Sequence, residues 1–278
     1  MRGALAAEWI KFSRRPSSWM LTMAMLTVVV GVGYALLYLV LHFTPASPTF
    51  PESARKALLS LLYPDRFVYN VLNEFPGIGG AMVLILGSLS IGSEYGWSTL
   101  KLALTQKPGR LTYMGAKLLL LAFVVVAFVA LLLGAGAAAS VLVALLDRVQ
   151  VSWPAASEVL RGVVAGSLVL AVWGALGLCL AAVFRSNALP IGIGLVYLLL
   201  VEGILGGFAQ VETVRSILRV LPGANANALI ASFRAVSIPG SPAAKPIAGP
   251  EQASLVLVAY LVLFVAIAVA LVWRRDVT

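Results

Sequence analysis

Six apolar runs, each near or beyond the length that crosses a bilayer, constrain this chain more than any other feature. They cover residues 19–41, 77–91, 115–146, 159–184, 189–208 and 254–273. An α-helix rises about 1.5 Å per residue, so about 20 apolar residues cross a hydrocarbon core about 30 Å thick. Backbone polar groups in that layer must be satisfied inside the segment, which makes helices of runs this long. Of the 278 residues, 61% are hydrophobic and 11% charged, and a water-exposed surface could not hide that much apolar area. The expected fold class is an all-α polytopic membrane protein with six transmembrane helices, forming a single transmembrane domain over residues 1–278. The 77–91 run is short and is expected to extend helically into its flanks. The 115–146 run would be about 48 Å long as a helix, which implies protrusion, tilt or a break near Gly134 and Gly136. The 19–41 run exceeds a signal-peptide core of about 7–15 residues and ends without a small-x-small site, so it reads as a retained span.

The net charge of +9 is one-sided. With the N-terminus in the cytoplasm, eleven of the twenty basic residues but three of the eleven acids fall inside, leaving +8 there and +1 outside. Both termini are therefore expected to be cytoplasmic. The basic surplus faces anionic lipid, and a nucleic-acid partner is not expected.

Several polar stretches carry a helical pattern. In residues 2–16, Leu5, Trp9 and Phe12 fall on one face and Glu8, Lys11 and Arg15 on another, as in a helix lying at the membrane interface. Residues 42–76 and 209–253 form the larger extracytoplasmic loops. The first holds a short helix around 52–62. In the second, Val211, Val214, Ile217, Leu218 and Leu221 make an apolar stripe opposite Arg215 and Arg219, Pro222-Gly223 ends that helix, and 224–236 is a second one. These short outer helices between spans five and six read as re-entrant or interfacial.

Some chemistry is missing. No G-x-x-x-x-G-K-[ST] phosphate loop and no G-x-S-x-G nucleophile elbow occurs. His42 and Cys179 are the single histidine and cysteine, too few for a zinc or copper cluster of the ordinary kind. No catalytic residue, metal site or cofactor is expected on this chain. Glu202, deep in the fifth run, reads either as a gate or cation contact, or as a structural pair with Arg215 or Arg219, or as an interfacial residue if the span ends early. Gly162-x-x-x-Gly166 and Gly203-x-x-x-Gly207 suggest close helix contacts.

Between the second and third runs lies a polar island, residues 91–117. It holds Glu94, Thr99 followed by Leu100, Leu102 and Leu104, then Pro108-Gly109-Arg110, and Lys117 entering the third run. With these residues, six spans and both ends inside, the chain resembles the membrane subunits of ABC-2 type exporters. Glu8-Trp9-Ile10-Lys11 stands where that family has an N-terminal elbow helix, Trp273-Arg274-Arg275-Asp276 looks like its C-terminus, and Ser98 replaces its usual glycine. The resemblance implies an elbow helix over 1–18, including Glu8, Trp9, Lys11 and Phe12. It implies a cytoplasmic coupling loop over 92–114, in which Glu94, Tyr95, Trp97, Thr99, Leu100, Leu104, Pro108 and Arg110 receive a separate ATP-binding subunit. It places a substrate path between spans two and five, near Ile85, Leu89, Tyr197 and Glu202. ATP and Mg would sit on two copies of that partner, and a second copy of this chain or a related permease would complete the complex in the bacterial plasma (inner) membrane. The implied activity is export of an amphipathic or hydrophobic substrate, such as a drug, peptide antibiotic or lipid, by alternating access.

Elementary physics agrees with the loop's implied role. Leu100, Ala103 and Leu104 can form one face of a short helix that docks into a groove, while its ends continue into spans two and three. Glu94 reads either as one half of an ion pair with a basic residue of the elbow helix or the loop, or as a solvated interfacial carboxylate. Two other classes stay open at this point. An ion-coupled secondary transporter would use intramembrane acids and inverted repeats, yet Glu202 is the single candidate acid and no repeat is visible. A non-transporting scaffold or sensor component is the other.

Overall fold

The computed structural model describes residues 2–45, 47, 51–96, 109–233 and 247–274, and among these helices dominate and no strand occurs. Six helices are long and apolar enough to cross a membrane: Pro16–Phe43, Pro64–Gly96, Arg110–Leu146, Ala156–Phe184, Ala188–Gly207 and Pro250–Arg274. They are spans one to six of a multi-pass membrane protein. Proline opens spans one, two and six, where its missing N–H is no loss because the first helical amides have no intrahelical acceptor. Trp97, Thr99, Leu100, Leu104 and Pro108 of the expected coupling loop lie outside the described residues, as do Lys101, Arg275 and Asp276.

Span two does extend into its flanks. A wide π-turn at Phe75–Gly79 joins its opening turns to the long helix Gly80–Gly96, and it absorbs Pro76, which has no N–H for an ordinary α-helical bond. Span three, by contrast, does not break. It is one helix of 37 residues, Arg110–Leu146, running straight through Gly134 and Gly136. Gly136 serves a different purpose: a Cβ there would overlap the Val71 side chain of span two. Spans one and five each contain a π-helical stretch, Thr27–Leu36 and Val196–Val201.

Span four is the centre of the bundle, packing on spans two, three, five and six. Its Trp173 is fully buried against Gly80 of span two. Where spans two and four cross, a methyl on Gly87 would overlap the Gly174 carbonyl, and one on Gly177 would overlap the Leu84 carbonyl. Ser88 Oγ donates to the Gly177 carbonyl at 3.1 Å across the same crossing. In lipid, such close backbone approach and interhelical hydrogen bonding replace the hydrophobic effect as the source of helix association. The expected Gly162/Gly166 contact is present, against Val68, Leu72 and Phe75 of span two. The Gly203/Gly207 contact is not: among the described residues nothing lies within 4 Å of a Cβ at either position.

At the end of the bundle away from the N-terminal helix, Asp147 closes span three and accepts hydrogen bonds from Tyr38 (2.8 Å) and Tyr63 (3.0 Å). A short helix, Glu52–Ser60, lies in the first long loop as expected. The second long loop holds Glu212–Leu218 and Pro222–Ala231. In the apolar stripe of the first of these, Val211 and Ile217 are exposed, Val214 and Leu221 half-buried, and Leu218 alone buried. Pro222 opens the second helix, which packs against spans four and six and buries most of its residues.

Candidate functional site

The helix Arg2–Arg14 lies across spans two and three, and the one residue it buries is Glu8. The sequence pattern placed Leu5, Trp9 and Phe12 on one face and Glu8, Lys11 and Arg15 on another without deciding which meets the protein. Leu5, Trp9 and Ile10 stay substantially exposed, as in an interfacial helix, and the polar face turns to the protein. The reason is the solvent. An apolar side chain facing lipid loses nothing, whereas a carboxylate near hydrocarbon must find a cation.

Four charged side chains from three segments close a ring there. Lys117 Nζ of span three lies 2.8 Å from Glu8 Oε2 and 2.9 Å from Glu94 Oε1 of span two. Lys11 Nζ lies 2.8 Å from Glu8 Oε1 and 2.8 Å from the same Glu94 Oε1. Two carboxylates alternate with two ammonium groups, so the formal charge of the ring is zero. A third bond from Lys117, to the Ser90 carbonyl at 2.8 Å, uses the last of its ammonium protons. Its charge also sits 4.9 Å from the centre of the Tyr113 ring. The side chains of Lys117 and Glu94 are 1% and 3% exposed and that of Lys11 is 41%, so the ring has a buried half and a wet half. Burial pushes the Glu8 carboxyl up, but Lys117 and Lys11 together outweigh it and hold Glu8 below the usual carboxylate range.

Neighbouring contacts extend the joint. Arg15 Nη1 donates to the Leu89 carbonyl of span two at 3.0 Å. Trp9 stacks on Phe12 and meets Phe123 of span three edge-on at 5.9 Å. Tyr95 packs beside a cluster of Ile91, Met114, Cys179 and Val272, which joins spans two, three, four and six. Arg110 Nη1, at the start of span three, donates to the Trp273 carbonyl at the end of span six. The residues flanking the 97–108 segment are thus tied to the N-terminal helix on one side and to span six on the other.

Of the two readings of Glu94, the structure has the ion pair. What sequence reasoning did not weigh is Lys117 as its centre and Glu8 as its second acid. A signal existed: a lysine just inside an apolar run and a glutamate just past the end of the preceding one flank the same loop and should pair, because a charge at the edge of the hydrocarbon needs a partner.

Among the expected substrate-path residues, Tyr197 and Glu202 come together, the tyrosine hydroxyl donating to the carboxylate. Leu89 lines a small cleft with Glu8, Lys11, Phe12 and Arg15, and Ile85 is half-buried one turn away. Tyr197 packs on Trp173, with ring centres 6.3 Å apart. Glu202 forms no ion pair with Arg215 or Arg219 among the described residues. Its Oε1 accepts the Gly223 N–H at 2.9 Å and its Oε2 the Ala224 N–H at 2.8 Å. It therefore caps the helix Pro222–Ala231 from outside, where the first amides of a helix have no acceptor and the dipole favours an anion.

A family profile described as ABC-2 family transporter protein matches residues 4–201. The chain belongs to the ABC-2 family. The match takes in the N-terminal helix, the complete charged ring and the loop between spans two and three, and it ends one residue before Glu202. This ABC-2 protein is a membrane transport permease, the transmembrane component of a system that works with an ATP-binding subunit. No curated protein matches the chain.

Proposed function

We propose that this permease is the membrane subunit of an ATP-driven exporter, and that the Glu8–Lys11–Glu94–Lys117 ring couples the ATP-binding subunit to the spans. The ring carries the reading. It fixes the N-terminal helix to both spans that continue into residues 97–108, so a push on that loop moves three elements as one body. The one-sided basic charge supports a cytoplasmic position for this end, within reach of a soluble ATPase. Two ATP-binding subunits, carrying ATP and Mg, would draw together on two permease chains and shift the membrane cavity from inward to outward facing. Alternating access of this kind needs only that nucleotide favours one of two states. An amphipathic or hydrophobic cargo suits the apolar spans, and the bacterial inner membrane is the expected location.

The test is co-expression with candidate ATP-binding subunits, followed by vanadate-sensitive substrate uptake into inside-out vesicles. Glu94→Gln should leave ATP hydrolysis running while transport falls at least tenfold. Fully coupled transport in that variant would remove the ring from the mechanism. Transport driven by an ion gradient without ATP would remove the exporter reading altogether.

A further inference from the structure

Beside the ring, on its lipid-facing flank, the N-terminal helix and span three leave a groove of about 570 Å³ between them, lined by Arg2, Leu5, Ala6, Trp9, Leu119, Leu120 and Phe123. That volume lies in the range of small-ligand sites, about 300–1,000 Å³. The walls are apolar apart from Arg2 at one end. Leu5, Trp9, Leu119 and Phe123 are each between 38% and 59% exposed, so the groove opens outward. Arg2 is the charged residue lining the groove; it is exposed and makes no ion pair among the described residues, whereas Glu8, Lys11 and Lys117 are committed to the ring.

We propose that this groove holds one anionic phospholipid, with an acyl chain against Leu119 and Phe123 and its phosphate on the Arg2 guanidinium. Three observations converge on that occupant. The groove is amphipathic in the sense a phospholipid is, with one cationic end and an apolar length. Its far wall is a face of a membrane span, so the medium that meets it is lipid rather than water. Trp9 stands in the groove at Phe123, and tryptophan is the side chain best suited to the boundary between headgroups and chains. A guanidinium recognises phosphate bidentately, and an uncompensated charge favours a lipid with net negative charge over a zwitterionic one. The inference requires only that the chain spans a bilayer; it stands whether or not the permease exports anything. Its consequence is that the N-terminal helix is held from two sides, by the ring on its polar face and by a bound lipid on its apolar face.

Native mass spectrometry of the purified permease after exchange into phosphatidylglycerol or phosphatidylcholine micelles tests this. The wild-type chain should retain one phosphatidylglycerol more tightly than phosphatidylcholine. Arg2→Gln should weaken that retention about fivefold, as expected for one basic residue near anionic lipid. Ala6→Trp, which fills the groove without touching the charge, should abolish the tightly held lipid. Arg2→Gln changes one exposed side chain and leaves the ring intact, so it remains informative if Ala6→Trp does not fold. Equal retention of both lipids, or unchanged retention in Arg2→Gln, would overturn the proposal.

Discussion

Lys117 Nζ lies 2.8 Å from Glu8 Oε2, joining the N-terminal helix to span three across 109 residues of sequence. Removing one partner of a buried ion pair strands the other charge and costs about 3–5 kcal/mol, whereas an exposed pair is worth about 0–1 kcal/mol. Lys117→Met, which removes the buried cation and leaves Glu8 and Glu94 to share the partly exposed Lys11 alone, should therefore lower thermal stability in detergent far more than Lys11→Met, which leaves both acids on the buried Lys117. Thermal unfolding of the two variants checks this; equal losses would mean that the buried and wet halves of the ring contribute alike.

Acid should loosen the same joint. Because Glu8 is held below its ordinary value of 4.5, its folded form resists protonation more than its unfolded form does. The stabilisation it supplies is complete above that ordinary value and is lost as pH falls through the lower, folded one. Cleavage near the N-terminus by an acid-active protease should accelerate over that window in the wild-type chain. Glu8→Gln should be cleaved readily at all pH values, with the acid-dependent step gone.

Glu202 offers a separate test. Its carboxylate takes both the Gly223 and the Ala224 amides. Replacing such a cap costs about 1 kcal/mol, which corresponds to roughly fivefold faster local opening. Hydrogen exchange at those two amides should rise by that order in Glu202→Gln, with little change in span four. Unaltered exchange would show that the helix Pro222–Ala231 stands without its cap.

The crossing of spans two and four should tolerate no side chain. Gly87→Ala and Gly177→Ala each place a methyl onto a carbonyl of the facing helix, so overpacking should cost at least about 1–3 kcal/mol and reduce folded yield. Gly203→Ala, where nothing among the described residues lies within 4 Å, should be neutral in the isolated chain. Yield after size-exclusion chromatography separates the two cases. A loss confined to Gly203→Ala at high protein concentration would point instead to a contact between copies along span five.

Much of this architecture follows from the sequence. The number of spans, their approximate ends and the existence of an N-terminal helix come directly from apolar run length and periodicity, since a bilayer accepts few other solutions. Even the pairing of Glu94 with that helix is accessible, because a charge at the edge of an apolar run must be answered nearby. Which face of the helix packs is not. Leu5, Trp9 and Phe12 have the spacing of a buried stripe, but in lipid that stripe has no need to be buried, and the need of Glu8 for a cation decides the orientation.

The same division holds in the membrane interior. Glycine spacing along one helix identified Gly162 and Gly166, yet it also suggested Gly203 and Gly207, which meet nothing among the described residues. The tightest crossing combines Gly87 of one span with Gly174 and Gly177 of another, a pattern that no single stretch of sequence displays. Glu202 was recognisable as a charge requiring a partner. That the partner is the open N-terminus of a helix, rather than Arg215 or Arg219, was settled by the folding back of Pro222–Ala231. Sequence by itself determined which segments enter the membrane, because transfer from water to lipid acts on each segment separately. Tertiary structure alone decided what each charge and each glycine meets, because those contacts depend on how the finished helices cross.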